Sequence, residues 1–301
     1  MENPMPWLQI KIEITPERSE QYEDILLAAG CAAVTFEDTK DHPIFEPELG
    51  TTPLWSHTTI TGLFDASYDL QKTRKLIEQS HQQLFADSPM PSVKAEILED
   101  KDWERAWMEN YHPMQFGNRL WVCPSWREAP DPDAVNLMLD PGLAFGTGTH
   151  PTTALCLNWL DGEVLDGKQV VDFGCGSGIL GIAALLLGAE HVTAIDIDVQ
   201  ALQATRDNLQ RNKLADSRLD AWLPENAPAV EVDYLVANIL AGPLIELAPI
   251  IASHLKTGGR LALSGLLSNQ AQDIVDTYSA WFELEPVVEK DDWIRVTGTK
   301  R

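Results

Sequence analysis

The chain has 301 residues, 44% of them hydrophobic, which is enough for one large or two ordinary domains with a buried core. Its 46 acidic and 22 basic residues give a formal net charge of −24, which argues against nucleic acid as the main partner because binding phosphates requires a basic face. No stretch approaches the ~18 uninterrupted apolar residues of a membrane span. The four cysteines form no C-x-x-C pair and no zinc spacing. We therefore expect a reduced, cytoplasmic protein without a membrane segment or a metal.

The first 98 residues alternate short strands and helices in the order β-α-β-β-α-β. Alternation of apolar and polar residues predicts the first strand, and Thr15-Pro16 and Asp69 mark the starts of the two helices. The expected elements are a strand over 7–14, a helix from 15 to Gly30, strands over 33–36 and 58–64, a helix from 69, and a strand over 93–97. This order predicts a small α+β domain of the ferredoxin-like type over residues 1–98.

Residues 99–116 differ from the segments on either side. Trp103, Trp107 and Tyr111 are four residues apart, a spacing that places them on one face of a short helix. Two interpretations remain open: a connecting helix packed by its aromatic side chains, or a hinge between two domains.

The segment 117–301 repeats a pattern of strand, glycine-containing turn and helix. Strands are expected over 170–173, 192–195, 234–237, 260–264, 282–284 and 293–297, and helices over 179–187, 199–212 and 244–255. This alternation predicts an α/β domain with an open, mostly parallel sheet covered on both faces. Ligands of such sheets bind beyond the carboxyl ends of the strands.

A glycine-rich turn, Asp172-Phe173-Gly174-Cys175-Gly176-Ser177-Gly178, follows the first strand of that sheet. Glycines at alternate positions allow a tight turn and a close approach of a ligand to the backbone. The following helix N-terminus favours an anionic group. Asp172 at the strand tip disfavours a pyrophosphate and favours a ligand that carries a cationic amine. The alternative is a tight β–α connection without a ligand.

Asp196 ends the next strand, 22 positions after Gly174, where a carboxylate can accept hydrogen bonds from both hydroxyls of a ribose. It could instead be a helix cap or a solvated loop residue. The run from Gly176 to Gly181 also satisfies G-x-G-x-x-G, so a nicotinamide-dependent oxidoreductase is an alternative. Asp172, where dinucleotide sites usually have an apolar residue, and the additional upstream Gly174 argue against that alternative.

Asn238 follows the predicted strand 234–237 and would face the same crevice. Its amide oxygen could accept a hydrogen bond from a substrate amine and orient the nitrogen lone pair, although a cap of the next helix is the alternative. The segment 139–153, with three glycines, Phe145 and His150, is expected to be a mobile cover that ends at Thr153 in the first helical turn. A metal at His150 is not expected, because no second ligand accompanies it at ligand spacing.

Together, the segments 140–153, 172–178, 195–198 and 238–244 resemble the ribosomal protein L11 methyltransferase (PrmA) family, and the resemblance spans essentially the whole chain. It implies a class I, Rossmann-like methyltransferase that transfers methyl groups from S-adenosylmethionine, without a metal, to lysine side chains and the N-terminal α-amine of that ribosomal protein. It implies that residues 1–98 form a domain that recognises the protein substrate and that residues 117–301 form the catalytic methyltransferase domain. Residues 99–116 would be a helix that links the two domains. It also implies a catalytic Asn238 and cofactor contacts from Thr153, Gly174, Asp196 and Asn238.

Asp172, Gly176, Gly178 and Phe145 lie within the same motifs and are included among the expected cofactor contacts. Three other functions remain open at this point. They are the nicotinamide-dependent oxidoreductase, an amine methyltransferase acting on another substrate such as a nucleic acid, and a non-catalytic adaptor.

Overall fold

The structure is a computed structural model that describes residues 7–40, 44, 53–65, 68–86, 88–98, 111–140 and 150–301. The chain divides into two compact units, Met1–Glu109 and Asn110–Arg301.

The described part of the first unit is a four-stranded antiparallel sheet with two helices. Its elements are β1 (Trp7–Ile14), α1 (Ser19–Ala28), β2 (Ala33–Asp38), β3 (Thr58–Asp65), α2 (Leu70–Leu84) and β4 (Val93–Leu98). The strand order β2-β3-β1-β4 confirms the ferredoxin-like arrangement. Pro16 lies in a short 3-10 turn before α1, and the Asp69 carboxylate caps α2 by accepting from the backbone of Gln71 and Lys72.

The core of this unit follows from the alternation along β1. Ile10 and Ile12 are buried with Tyr22 of α1 and Ile77 of α2. The intervening residues of β1 point to the opposite face of the sheet because successive strand side chains alternate. Both helices therefore cover one face of the sheet.

The second unit is built around an eight-stranded sheet with a three-stranded sheet at its start. Its strands are β5 (Met114–Phe116), β6 (Leu120–Cys123), β7 (Val135–Met138), β8 (Gln169–Phe173), β9 (His191–Ile195), β10 (Leu219–Trp222), β11 (Val232–Asn238), β12 (Leu255–Leu267), β13 (Phe282–Leu284), β14 (Val288–Lys290) and β15 (Trp293–Lys300). Its helices are α3 (Pro151–Gly162), α4 (Ile179–Leu186), α5 (Val199–Arg211), α6 (Ala241–Glu246), α7 (Ala248–Ser253) and α8 (Ala271–Tyr278).

The large sheet has the order β10-β9-β8-β11-β12-β15-β13, and β14 pairs with β15. Strands β8 to β12 pair in parallel, whereas β15 runs antiparallel between β12 and β13. Two apolar clusters pack on the sheet, one containing Leu157 of α3 and Ile182 of α4, the other Leu244 of α6 and Ile274 of α8. Within the described ranges, no helix is long and apolar enough to cross a membrane.

The predicted linker over 99–116 needs correction at its end. Trp103 and Trp107 lie outside the described residues, residues 111–113 have no regular structure, and 114–116 form β5, paired with β6. Phe116 is buried in the core of the second unit. The chain thus enters the second unit before residue 117.

The prediction of one helix over 244–255 and a strand over 260–264 was also wrong in its boundaries. The first helix begins at Ala241, since Pro243 is compatible with a first helical turn. A second helix begins at Ala248, because Pro249 lacks the N–H that would continue the first. Leu255 already belongs to β12, which passes through Gly258-Gly259 as a bulge: Val232 pairs with Leu255, but Tyr234 pairs with Arg260.

Candidate active site

A cavity of about 460 Å³ lies at the carboxyl ends of β8, β9 and β11. Four of the residues predicted from the sequence line it: Gly174, Gly176, Asp196 and Asn238. Because parallel strands β9, β8 and β11 are neighbours in the sheet, residues 20 to 64 positions apart meet at one edge. The position is the one that doubly wound sheets use for ligands.

The glycine loop turns immediately after β8. The backbone N–H groups of Gly174 and Cys175 both donate to the carbonyl of Ile195, at 2.8 and 3.1 Å, which ties the loop to the end of β9. Gly174 has a φ of +76°, and a Cβ at this position would collide with the Cγ2 atom of Ile239. A side chain at position 174 is therefore opposed both by the backbone conformation and by the adjacent strand end.

Two side chains of helix α5 hold the loop without lining the cavity. The Thr205 hydroxyl donates to the Gly176 carbonyl at 3.1 Å, and the Asn208 amide donates to the Ser177 carbonyl at 2.8 Å. Both side chains are buried. These two residues were not predicted from the sequence, although polar residues on the buried face of a helix are a usable signal.

Asp196 is fixed by the loop and by the start of α5. Its two carboxylate oxygens accept from the backbone N–H groups of Gly176 and Asp198, at 2.9 and 3.0 Å. A carboxylate can accept about four hydrogen bonds, so capacity for two ligand hydroxyls remains. The helix-capping role belongs to Asp198, which accepts from Gln200.

Asn238 is the last residue of β11, and its amide nitrogen donates to the hydroxyl of Thr153 at 3.3 Å. Leu240, not Asn238, is the N-cap of α6, and that cap makes no side-chain hydrogen bond. The alternative interpretation of Asn238 as a helix cap is therefore wrong. Since the amide nitrogen faces Thr153, the amide oxygen remains as an acceptor beside the cavity.

Thr153 itself is fully buried in the first turn of α3 and does not line the cavity. The cap of α3 is His150, whose Nδ1 atom accepts from the backbone N–H of Thr152. Thr153 thus reaches the site through Asn238. Phe145, the remaining residue expected in this segment, lies outside the described residues.

Asp172 is almost fully buried beneath the loop and does not line the cavity. Its Oδ2 atom accepts from the backbone N–H of Gly181 at 2.8 Å, whereas its Oδ1 atom is buried without a hydrogen-bond partner. Burial raises the pKa of this carboxyl to about 7, the Gly181 N–H opposes the rise, and the charge of Asp196 adds to it. A carboxylate at this position is therefore costly in the free protein.

The remaining cavity wall is apolar apart from His254. Gly178 adopts a φ of +77° as the N-cap of α4 but, like Asp172, lies outside the wall. The apolar wall residues were not predicted from the sequence; they include Ile197, Ile239, Leu240, Pro224, Leu247 and Ile250. The exposed fraction is 86% for Ile197 and 50% for Leu240, and such exposed apolar residues around a concave site mark a place for a flat or apolar ligand group.

The buried cysteines do not supply a nucleophile. Burial raises the pKa of the Cys156 thiol to about 12 and also raises that of Cys175 in the loop, so both are protonated at neutral pH. Among the described residues, no group of three or more His, Cys, Asp or Glu side chains is placed to hold a metal ion.

The order of the large sheet, its single antiparallel strand, the glycine loop after β8 and the carboxylate after β9 define a class I, Rossmann-like methyltransferase fold. Comparison with known proteins is more specific. The family model for ribosomal protein L11 methyltransferase (PrmA) matches residues 6–301. The chain therefore belongs to the ribosomal protein L11 methyltransferase family, and it is a methyltransferase.

Individual relatives agree with this assignment. The chain is 57% identical over 297 residues to a "Ribosomal protein L11 methyltransferase" of Pseudomonas putida, covering 99% of this chain and 100% of the relative. It is 57% identical over 296 residues to the protein of the same name in Marinomonas sp., covering 98% and 99%. A crystal structure of a ribosomal protein L11 methylase from Lactobacillus delbrueckii subsp. bulgaricus has 32% identity and a TM-score of 0.58, covering 64% of this chain and 100% of that one. The nicotinamide-dependent alternative is thereby excluded.

Proposed function

We propose that this enzyme transfers methyl groups from S-adenosylmethionine to amines of ribosomal protein L11, namely lysine side chains and the N-terminal α-amine, up to trimethylation. The names of its relatives supply the substrate. The observation that carries the amine chemistry is the placement of Asn238, with its amide nitrogen on Thr153 and its side chain at the cavity wall.

The described residues fit the proposed methyl donor. Asp196 retains acceptor capacity for the two ribose hydroxyls, and Ile197 and Leu240 offer apolar surface for the adenine. The buried, unpartnered Oδ1 atom of Asp172 provides negative charge beneath the loop for a ligand with cationic groups. When bound, S-adenosylmethionine supplies a methyl group on a positively charged sulfur.

Asn238 would bind the attacking amine. The amide oxygen accepts one N–H of the amine, so that the nitrogen lone pair points toward the methyl group, and this positioning is the main contribution required of the protein. The neutral nitrogen would form a bond to the methyl carbon as the carbon–sulfur bond breaks, with its electron pair staying on sulfur. The ammonium formed by the first and second transfers releases a proton to solvent, whereas the third transfer leaves a quaternary nitrogen that has no proton to lose. A free lysine has a pKa of about 10.4, and desolvation lowers the pKa of an amine, which favours its neutral, nucleophilic form.

We further propose that the first unit recognises the protein substrate, that the segment beginning at residue 99 connects it to the catalytic unit, and that the enzyme works in the cytoplasm. Residues 1–98 contain 16 acidic and 7 basic residues. The sheet face opposite the helices carries a polar groove lined by Glu13, Glu37 and Glu96 together with Lys11 and Lys94. This charge balance suits a basic protein partner and is unfavourable for nucleic acid.

The experiment combines ribosomes that contain the unmethylated ribosomal protein, labelled S-adenosylmethionine and the full-length enzyme, with mass spectrometry to identify the labelled components and amines. Absence of label from lysine and the N-terminal amine would refute the proposed function. A label on other components of the ribosome would instead support an amine methyltransferase with another substrate.

The role of Asn238 is tested by Asn238→Asp, which keeps an acceptor oxygen and adds a negative charge beside the amine. The added charge stabilises the protonated, unreactive amine, so kcat should fall at least tenfold at pH 7 and recover partly at higher pH. Asn158→Asp is the matched control, because Asn158 is an exposed residue of α3 whose oxygen accepts from the Gly117 N–H. Equal pH–rate profiles for the two variants would show that Asn238 does not orient the amine.

A further inference from the structure

Trp293 lies at the same edge of the large sheet as Asn238. It is the first residue of β15 and pairs with Leu267 near the end of β12. One strand further, Ser264 of β12 is the register partner of Asn238, and its hydroxyl donates to the Ile294 carbonyl at 2.8 Å. The indole is thus carried two strands away from the candidate catalytic amide.

Trp293 also lies on the same face of the sheet as that amide. Its side chain and that of Arg295 alternate with the buried Ile294, and Arg295 donates to the Leu155 carbonyl of α3 at 2.7 Å. Asn238 contacts the same helix through Thr153. Both side chains therefore point toward α3.

His150 links these two groups at the start of α3. Its ring centroid is 4.7 Å from that of Trp293, with the ring planes at 73°, an edge-to-face contact. The same ring caps the helix turn that contains Thr153. The aromatic pair and the Asn238–Thr153 pair therefore flank one helical turn.

The backbone before Trp293 is firmly held. Asp291 and Asp292 form the two-residue turn between β14 and β15 with φ angles of 51° and 64°, the conformation of a type I′ hairpin. The Asp292 carbonyl accepts from both the N–H and the hydroxyl of Ser268, at 2.9 and 3.0 Å. Both aspartates are exposed, so the turn places negative charge next to the aromatic pair.

We propose that Trp293, supported by His150, is the aromatic wall against which the substrate amine lies while Asn238 orients it. This inference rests on the proposed function. A primary amine can be held by hydrogen bonds alone, but each methyl transfer replaces an N–H donor with a methyl group. An indole face binds methylated and quaternary nitrogen without any N–H donor. Trp293 therefore matters most for the second and third transfers.

The test compares full-length wild type with Trp293→Phe and Trp293→Leu, with unmethylated ribosomal protein as substrate and mass spectrometry to count the methyl groups on each amine over time. Trp293→Leu keeps apolar bulk without an aromatic face, and we expect mono- and dimethylated products to accumulate with at least a tenfold loss of trimethylated product. Trp293→Phe keeps an aromatic face and should therefore form most of the wild-type amount of trimethylated product. The S-adenosylmethionine Kd should change less than twofold in both, because Trp293 is not part of the cavity wall.

Trp281→Leu is the matched control, since Trp281 lies at the opposite end of β15, where its backbone carbonyl accepts from the Arg301 N–H. It should give the wild-type product distribution. Equal distributions for Trp293→Leu and Trp293→Phe, or the same loss in Trp281→Leu, would overturn the aromatic wall while leaving the proposed function intact. Failure of the wild type to methylate any amine would instead refute the proposed function, and this inference with it.

Discussion

Replacing Asp172 by Asn should stabilise the free enzyme at pH 8 and weaken its binding of the methyl donor. The carboxylate is buried, one of its oxygens has no partner, and burial raises its pKa to about 7 from an ordinary 3.8. Because the pKa is raised in the folded state, the contribution of this group to stability is fully present below pH 3.8. It is lost as the pH rises from 3.8 to about 7.

The magnitude follows from this difference in pKa. At about 1.36 kcal/mol per pH unit, the rise corresponds to ~4 kcal/mol of destabilisation by the charged form at pH 8. Asn keeps an oxygen for the Gly181 N–H but places an amide nitrogen where Oδ1 is unpartnered, which costs roughly 1–3 kcal/mol. We therefore expect Asp172→Asn to increase the free energy of unfolding by about 1–3 kcal/mol at pH 8.

The assay is urea unfolding of wild type and Asp172→Asn between pH 5 and 8. The advantage of the variant should shrink or reverse toward pH 5, where folded wild type binds the proton. Calorimetry of the same proteins should show weaker binding of S-adenosylmethionine by the variant, because the buried negative charge that favours a cationic ligand is gone. A variant that is less stable than wild type at pH 8, or an advantage that does not depend on pH, would refute the reasoning.

Three further predictions concern the cavity and the two units. Asp196→Ala should weaken S-adenosylmethionine binding by roughly 1.5–3 kcal/mol, because two hydrogen bonds to a charged acceptor are lost; unchanged affinity in calorimetry would remove Asp196 from the ribose site. Gly174→Val should abolish cofactor binding while a cooperative thermal melt persists, and full methylation by this variant would refute the role of the loop. A chain of residues 110–301 should bind the cofactor but lose most activity on the protein substrate, provided its melt is cooperative; full activity would contradict substrate recognition by the first unit.

The sequence predicted best where local chemistry and tertiary packing coincide. The run from Val170 to Phe173, followed by glycines, could only continue as a buried strand and a tight turn, and Asp196 stood at the next strand tip. Regular strand–helix alternation also determines which strand ends share an edge of the sheet. For this reason the sequence alone could predict that one site contains Gly174, Gly176, Asp196 and Asn238.

The sequence predicted least where the outcome depends on packing between distant residues. The burial of Asp172 beneath the loop results from its Gly181 contact and from the helix above it, neither of which has a local signature. The strand over 114–116 is only three residues long, which is too short for its alternation to be distinguished from the preceding aromatic spacing. The strand was predicted to begin at residue 260, after Gly258-Gly259, because a bulge within a strand contains the same residues as a turn.

The two halves of the candidate site differ in how they can tolerate change. On the donor side, the loop conformation is determined by backbone geometry: Gly174 cannot accept a side chain, and Gly176 contributes its N–H to Asp196. On the acceptor side, Asn238 acts through its side chain, which is positioned by a hydrogen bond to the Thr153 hydroxyl. A substitution in the first half should therefore remove cofactor binding and all transfer together. A substitution in the second half should lower the rate of methyl transfer and change how many methyl groups each amine receives, while the cofactor still binds.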